Sequence, residues 1–570
     1  MDKAQVAKIL EEIGILLELK GENPFKTRAY HNGARVIEGL SEDLQTLVKE
    51  ERLSEISGIG SGLAEKITEI VTTGKSKYLQ EVRKGLPPHL PDLLHIPGLG
   101  PKKVKALYDT LHVASVGELE YACKENRLLD LPGFGAKTQE NILKGIAYSR
   151  KNQGSYRFDI AFHTSEKILE EILKFPNVLK AQVAGSIRRR KEVVHDIDIL
   201  ACAKSHVADI MQRFTHLSEV EEILAEGETK SSLRLKSGIQ VDLRVVNEKE
   251  YPFALLYFTG NKEHNTQLRG IAKDKDLKLN EYGLFRGEKS LSCKNEEEIY
   301  KALGMSYIPP ELREATDEIS AAEKNKIPHL IEEDDIQGVF HVHSTWSDGT
   351  AEIEAMAHEA QKLGFKYMGL SDHSQTAKYA GGLTPADIKK QHTEIDLLNK
   401  KLKGFKILKG IESDILSDGS LDYPEKVLEQ FDFVIASVHF GFKMSAEDMT
   451  RRLVKVLKNP YTTLLGHMTG RLLLAREGFA LNVDEIIETA AKHKKIIEIN
   501  ANPHRFDMDW RYLKKAAAHG VKFSINPDAH STEGLKDTFF GVGIARKGWL
   551  TKKDIVNTLS LNDIEKYLGE

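Results

Sequence analysis

From residue 338 onward, seven short apolar runs recur: VFHVHS, KYMGLSDHS, FKILKGIESD, FDFVIASVHF, TTLLGHMTG, KIIEINANPH and KFSINPDAHS. Helix-like stretches such as AEIEAMAHEAQKLG and NVDEIIETAAKHKK lie between them. Runs of β-formers that alternate with helical segments predict parallel strands joined by crossover helices. In barrels of this kind chemistry gathers at the carboxyl ends of the strands. Those ends carry His341 and His343, His373, Glu412, His439, His467, and Asp528 with His530, and the first loop adds Asp348. The sixth run is the exception, offering Asn500 and Asn502.

Of the eleven histidines in this region, six sit at strand ends, while His358, His392, His493, His504 and His519 fall in helices or loops. A lone strand histidine is usually a hydrogen-bonded core residue. Six at one rim, joined by three carboxylates, are costly to gather without a partner for their polar atoms. Imidazole and carboxylate donors suit Mn²⁺, Zn²⁺ or Fe, and nine candidates are too many for one ion. A cluster of two or three metals follows.

The first third holds an internal repeat. ISGIG (Ile56 to Gly60), IPGLG (Ile96 to Gly100) and LPGFG (Leu131 to Gly135) are followed by SGLAEKITEIV, PKKVKALYDTL and AKTQENILKGI. Each copy reads as helix, Gly-x-Gly turn, helix. Gly58, Gly60, Gly98, Gly100, Gly133 and Gly135 would let backbone N–H groups at the second helix approach a phosphate, whatever the base sequence. One such turn serves equally well as a plain connector between packed helices; three point to DNA-backbone binding, and they resemble helix-hairpin-helix segments.

In the middle third, VAGSIRRRKEVVHDIDILAC sets Asp196 and Asp198 on one face of a strand. SLRLKSGIQVDLRVV reads as a hairpin turning at Ser237-Gly238, with Asp242 on its second arm. Three crowded aspartates repel one another unless divalent cations neutralise them, and two Mg²⁺ or Mn²⁺ ions held by carboxylates suit in-line phosphoryl transfer. Gly185-Ser186 offers a small turn and a hydroxyl to a triphosphate, and Arg188 to Arg190 offer cationic forks.

Bulk properties narrow the field less. Hydrophobic residues make up 41% and charged residues 29%, ordinary for a soluble protein, and no apolar run is long enough to span a bilayer. Three scattered cysteines fit a reducing compartment, and the start MDKAQVAKILEEIG reads as an amphipathic helix and not an export signal, so the expected location is the cytoplasm. The net charge is −4. A DNA role therefore has to rest on local contacts.

The Gly-Ser turn with its aspartates resembles the nucleotidyltransferase superfamily. With LLYFTGNKEHNTQLRGIA, the chain from Met1 to about Arg313 looks like the DNA polymerase X family, similar to DNA polymerase beta. That resemblance implies a polymerase catalytic triad of Asp196, Asp198 and Asp242. It implies that Gly185, Ser186 and Arg189 hold the triphosphate, and that Tyr257, Phe258 and Gly260 line the sugar. Asn265 would touch the base edge and Arg269 the templating side. GIGSGLAEKITEIVTTGK matches the lyase domain of that family and puts its Schiff-base lysine at Lys66. The companion lysine is Gly62 here, and Lys262 stands where the family usually has an acid. Lys66 is therefore either that lysine or an ordinary helix lysine.

HVHSTWSDG, SDHS, GIESD, SVH, GHMTGR and PDAHS look like the PHP (polymerase and histidinol phosphatase) domain. This implies a distorted (β/α)7 barrel that binds up to three metals, Mn²⁺ or Zn²⁺, and hydrolyses phosphoesters. The expected fold class is multidomain: helical hairpins, an α+β nucleotidyltransferase palm and thumb, and the barrel. The expected domains are 1–85 (lyase-like), 86–150 (fingers-like), 151–248 (palm), 249–315 (thumb), 316–336 (a polar linker) and 337–570 (PHP). The expected activity is gap-filling DNA synthesis by a monomer using gapped or primed DNA and dNTP, with 3′–5′ exonuclease or other 3′-end or abasic-site processing at the barrel. The alternatives are a barrel that is a small-molecule phosphatase or purely structural, or a DNA-binding scaffold with silent sites.

Overall fold

The repeated glycines close three equivalent turns. Gly58, Gly98 and Gly133 have φ of +93°, +88° and +84°, a region that glycine alone enters without strain. Each turn is pinned alike: Ile59 N–H donates to the Ile56 carbonyl at 3.0 Å, Leu99 to Ile96 at 3.0 Å and Phe134 to Leu131 at 2.9 Å. These middle residues are buried in a helical core. Helices α1 (Ser61–Thr73), α2 (Pro101–Leu111) and α3 (Ala136–Lys151) start beyond the turns.

The leading arms of the first two copies are shorter than expected, single 3-10 stretches at Leu53–Glu55 and Pro91–His95. The first has only a few residues after the left-handed Glu51. In the second, prolines remove amide hydrogens that a longer helix would use.

A computed structural model describes residues 3–569 other than 39, 41, 43, 57, 88, 125, 126, 129, 130, 152, 153, 443 and 475. The hairpins belong to one compact unit, Met1–Gln153, and the rest of the chain to a second, Gly154–Glu570. No helix among the described residues is long and apolar enough to cross a membrane.

In the second unit, a helix at Phe158–Leu173 leads into a five-stranded mixed sheet: β1 (Val178–Val183), β2 (Asp196–Ala203), β3 (Val220–Glu226), β4 (Lys230–Leu235) and β5 (Gln240–Val246). The spatial order is β1-β2-β5-β4-β3, with β2 and β5 parallel and side by side. A single helical turn, α4 (Gly185–Arg188), sits between β1 and β2. Ile197 and Ile199 point into the core, so the alternating aspartates face the other way. Helices α5 (Tyr251–Thr259) and α6 (Lys262–Asp274) follow.

All seven apolar runs form parallel strands, paired in sequence order: β6 (Gly338–Val342), β7 (Tyr367–Leu370), β8 (Lys406–Asp414), β9 (Phe433–Ser437), β10 (Leu464–Leu465), β11 (Ile496–Asn500) and β12 (Lys522–Asn526). A bridge from Val342 to Ala529 closes the ring, with His343 N–H donating to the Ala529 carbonyl at 2.9 Å. The helix α7 (Thr538–Lys547) packs beside β11 and β12.

Residues 316–336, expected to be a solvated linker, are built into this unit. The segment contains a helix, Glu318–Glu323. The fully buried Glu318 binds His264 Nδ1 at 2.8 Å, and Ile331 N–H donates to Leu550. Asp317 pairs with Lys514. Asp317, Glu318 and Asp335 are thus held by partners far away in sequence, while Glu323, Lys324, Lys326, Glu332, Glu333 and Asp334 stay exposed.

Candidate active sites

Parallel pairing of β2 with β5 sets Asp198 directly opposite Asp242, so the triad follows from sheet register. Gly185 has φ +58°, and a Cβ there would lie 2.0 Å from Asp198 Oδ2. Only glycine lets the turn come this close to the carboxylate. Burial, then the neighbouring Asp196 and Asp242, pushes Asp198 up to about 7, and burial with Asp242 also raises Asp196. Burial would raise Asp242 as well, but hydrogen bonds from Lys230, Gln240 and Ser232 hold it below its ordinary value. Lys230 Nζ lies 2.7 Å from Asp242 Oδ2. Two crowded carboxylates that resist losing a proton fit a site for divalent cations.

Asp196 and Asp198 open on a cavity of about 350 Å³. Gly185, Ser186, Arg189, Tyr257, Phe258, Gly260, Asn265 and Arg269 line it, with Asp196, Asp198, Asn261 and Lys262. Ser186 Oγ is buried without a hydrogen-bond partner among the described residues. Asn265 donates to the Tyr257 carbonyl at 2.7 Å, which ties α6 back to α5. Of the three arginines expected to face phosphate, only Arg189 reaches the cavity. Arg188 makes a two-pronged pair with Glu296, at 3.0 and 2.6 Å, and Arg190 stacks over Phe539 at 4.4 Å.

At the mouth of the barrel, the nine expected ligands meet. Their donor atoms form four overlapping groups, each within 4.8 Å: His343, Asp348, His373 and His530; His341, Glu412 and His467; His341, His343 and Asp528; and His373, Glu412 and His439. His341 and Asp528 hold left-handed backbones, φ +55° and +51°. A register shift between Val339 and Val342 accompanies the first. His341 and His343 are therefore brought together by a bulge at the strand end and not by simple strand alternation.

The donor set fits divalent metal. His343 is fully buried, yet neither of its ring nitrogens makes a hydrogen bond among the described residues, and His341 Nε2 makes none either. Burial, then the neighbouring His530, pushes His343 down to about 3, so its imidazole is neutral and ready to donate a lone pair. Burial opposes charge on Glu412 and Asp528, but the surrounding histidines hold both carboxyls well below their usual range. Behind the ligands stand carboxylates that orient them. Glu498 Oε1 lies 2.5 Å from His341 Nδ1, and Asp414 Oδ1 lies 2.6 Å from His439 Nδ1. Asp372 accepts from the Ser344 backbone at 2.7 Å, and Arg505 Nε lies 3.4 Å from Asp528.

Family models agree with this layout: a helix-hairpin-helix domain matches residues 1–76, a SAM-like helix-hairpin-helix tandem 90–147, the DNA polymerase beta thumb 254–314 and the PHP domain 340–502. A Bacillus subtilis (strain 168) protein named DNA polymerase/3′-5′ exonuclease PolX is 39% identical over 572 residues, covering 100% of this chain and 99% of the relative. The chain belongs to the bacterial PolX family. Shorter relatives match only part of the chain. A probable phosphatase of Thermoanaerobacter sp. (strain X514) is 28% identical over 242 residues, 40% of this chain and 93% of that protein. Another, from Caldicellulosiruptor bescii, is 30% identical over 187 residues, 31% of this chain and 72% of that protein.

Within this PolX chain, the sequence reading missed the supporting residues. Lys230 carried no motif. Glu498, an acid inside the apolar run KIIEIN, was legible in principle, since a carboxylate in the middle of a buried parallel strand needs a partner. The sixth strand is thus no exception; it contributes from one layer deeper. In the first unit, Lys66 is half-buried on α1 with Nζ 4.7 Å from the ring of Tyr78, and a Cβ at Gly62 would meet nothing.

Proposed function

We propose that this protein is a DNA-directed DNA polymerase that fills short gaps, and that its barrel is a metal-dependent phosphoesterase acting as a 3′–5′ exonuclease on DNA ends. The observation that carries the polymerase reading is the single cavity shared by Asp196, Asp198 and all eight nucleotide-binding candidates. Mg²⁺ or Mn²⁺ held by Asp196, Asp198 and Asp242 would neutralise the transferring phosphoryl group. Ser186 and Arg189 hold the triphosphate, Tyr257, Phe258 and Gly260 bound the sugar, Asn265 reads the base edge, and Arg269 faces the template. The Gly-x-Gly turns hold the DNA backbone. Domain limits at 85, 150, 248, 315 and 336 are part of the same proposal, as are action as a monomer on gapped or primed DNA with dNTP and a cytoplasmic location.

For the barrel, the nine-ligand mouth supports two or three Mn²⁺ or Zn²⁺ ions, which would supply Lewis acidity and an activated water. His343, kept neutral by burial, has a lone pair free for that purpose, and Glu498 orients His341. The full-length relative's name supports DNA as the substrate. A second reading, hydrolysis of small phosphate esters, is favoured by the names of the shorter relatives.

Purified protein is expected to extend a primer across a short gap and to shorten single-stranded DNA from its 3′ end. Asp198→Ala should abolish extension alone, and His343→Ala should abolish shortening alone. Unchanged extension by Asp198→Ala removes the polymerase assignment. Unchanged shortening by His343→Ala leaves the barrel with small esters. A Schiff-base role for Lys66 is checked separately, by borohydride trapping on an abasic 5′ end, with Lys66→Ala as control.

A further inference from the structure

Helix α7 belongs to the barrel, but its last residue ends under the nucleotide cavity. Lys547 is fully buried, and its Nζ donates to the Arg189 carbonyl at 2.9 Å and to Glu314 Oε1 at 2.5 Å. Glu314, itself buried, also accepts from Arg189 Nε at 3.2 Å, while Lys191 stands 3.9 Å away. Arg189 Nη1 donates to the Thr259 carbonyl. Arg189 also lines the cavity beside Ser186 and Asp198. One carboxylate is therefore shared between a lysine of the barrel and the arginine that faces the triphosphate.

Resting on the polymerase reading, we propose that Lys547 is a positioning residue for DNA synthesis: it neutralises Glu314 from behind and holds the Arg189 backbone, so that the Arg189 guanidinium stays available to the phosphates of the incoming nucleotide. A buried carboxylate needs a cation. Without Lys547, the closest remaining cation is Arg189, and Glu314 would compete with the nucleotide for it. The turn that begins at Gly185 would also lose the donor to its last carbonyl. The barrel thus contributes to polymerisation through a residue that neither metal centre uses.

The test uses the full-length chain on a one-nucleotide gap. Lys547→Met should raise KM for the incoming dNTP by about tenfold and leave kcat within about twofold, while 3′-end hydrolysis at the barrel stays at the wild-type rate. Adding Glu314→Gln to Lys547→Met should bring KM back to within about threefold of wild type, since the neutral amide no longer competes for Arg189. A role in packing alone would make the double variant worse than either single one. Unchanged KM in Lys547→Met, or no recovery in the double variant, overturns the proposal. If Lys547→Met loses barrel hydrolysis as well, Glu314→Gln alone reads the link: it should leave or lower KM, and a raised KM overturns the proposal. A wild-type enzyme that fills no gap overturns the polymerase reading, and this inference with it.

Discussion

At the scale of single residues, charge placement governs both sites. Asp198 has its pKa raised from 3.8 to about 7, by burial first and by its fellow aspartates second. The metal-free fold therefore binds this proton more tightly than the unfolded chain does. The stability that proton contributes is full below about pH 4 and is lost as pH rises through 7. Asp198→Asn should accordingly stabilise metal-free protein at pH 8 by roughly 2–4 kcal/mol and have little effect near pH 4, while extension falls a hundredfold or more. Thermal melts in chelator at the two pH values check the first half; no gain at pH 8 would sink the argument. Glu498 works differently, by orienting a ligand. Glu498→Gln should weaken metal binding at the barrel about 10–100-fold and leave gap filling intact. Competition against a graded chelator measures the first, and metal affinity equal to wild type would refute the positioning role.

At the scale of elements, the hairpin turns carry a prediction that needs no side chain. Gly98 has φ +88°, and a Cβ there would touch nothing, so Gly98→Ala acts through the backbone alone. It should cost about 1–2 kcal/mol of turn stability and weaken binding to gapped DNA equally on unrelated sequences, because backbone contacts carry no base information. Anisotropy titrations on two gapped duplexes check this; a loss confined to one sequence contradicts it. The same scale shows what the sequence could reveal. Buried parallel strands read as continuous apolar runs, so all seven barrel strands were legible, even β10 with its two paired residues. The same-face pair Asp196 and Asp198 and the hairpin that carries Asp242 were legible because strand alternation and hairpin chemistry are local; their meeting rests on the parallel pairing of β2 with β5, which only the family resemblance implied. The packed segment 316–336 was not, because Glu318 owes its burial to His264, 54 positions away. Nor was Lys230, which precedes the hairpin stretch SLRL and reaches Asp242 only through its long side chain.

At the scale of the whole molecule, the second unit holds two candidate active sites on one framework. A single apolar core runs from Phe158, Ile168 and Phe214 beside the mixed sheet to Val434, Ile497 and Phe523 in the barrel. Arg546 adds bonds to Glu311 and to the Ile331 carbonyl, at 2.7 and 2.8 Å. Prising such an interface open would expose a continuous core, at about 25 cal/mol per Å² of apolar surface. The two sites are therefore fixed with respect to each other, and a DNA end must leave one to reach the other. This has a consequence for a gap whose primer ends in a 3′-phosphate. The wild-type enzyme should remove the block and then add a nucleotide, whereas Asp198→Ala should stop after removal and His343→Ala before it. Mixing the two variants should restore the extended product, at a rate that rises with the concentration of the His343→Ala protein, because the cleaned end is released into solution between steps. A denaturing-gel time course follows each species. If the mixture stays inactive while each variant keeps its remaining activity, the end passes between sites without release, and the fixed framework must guide it along its own surface.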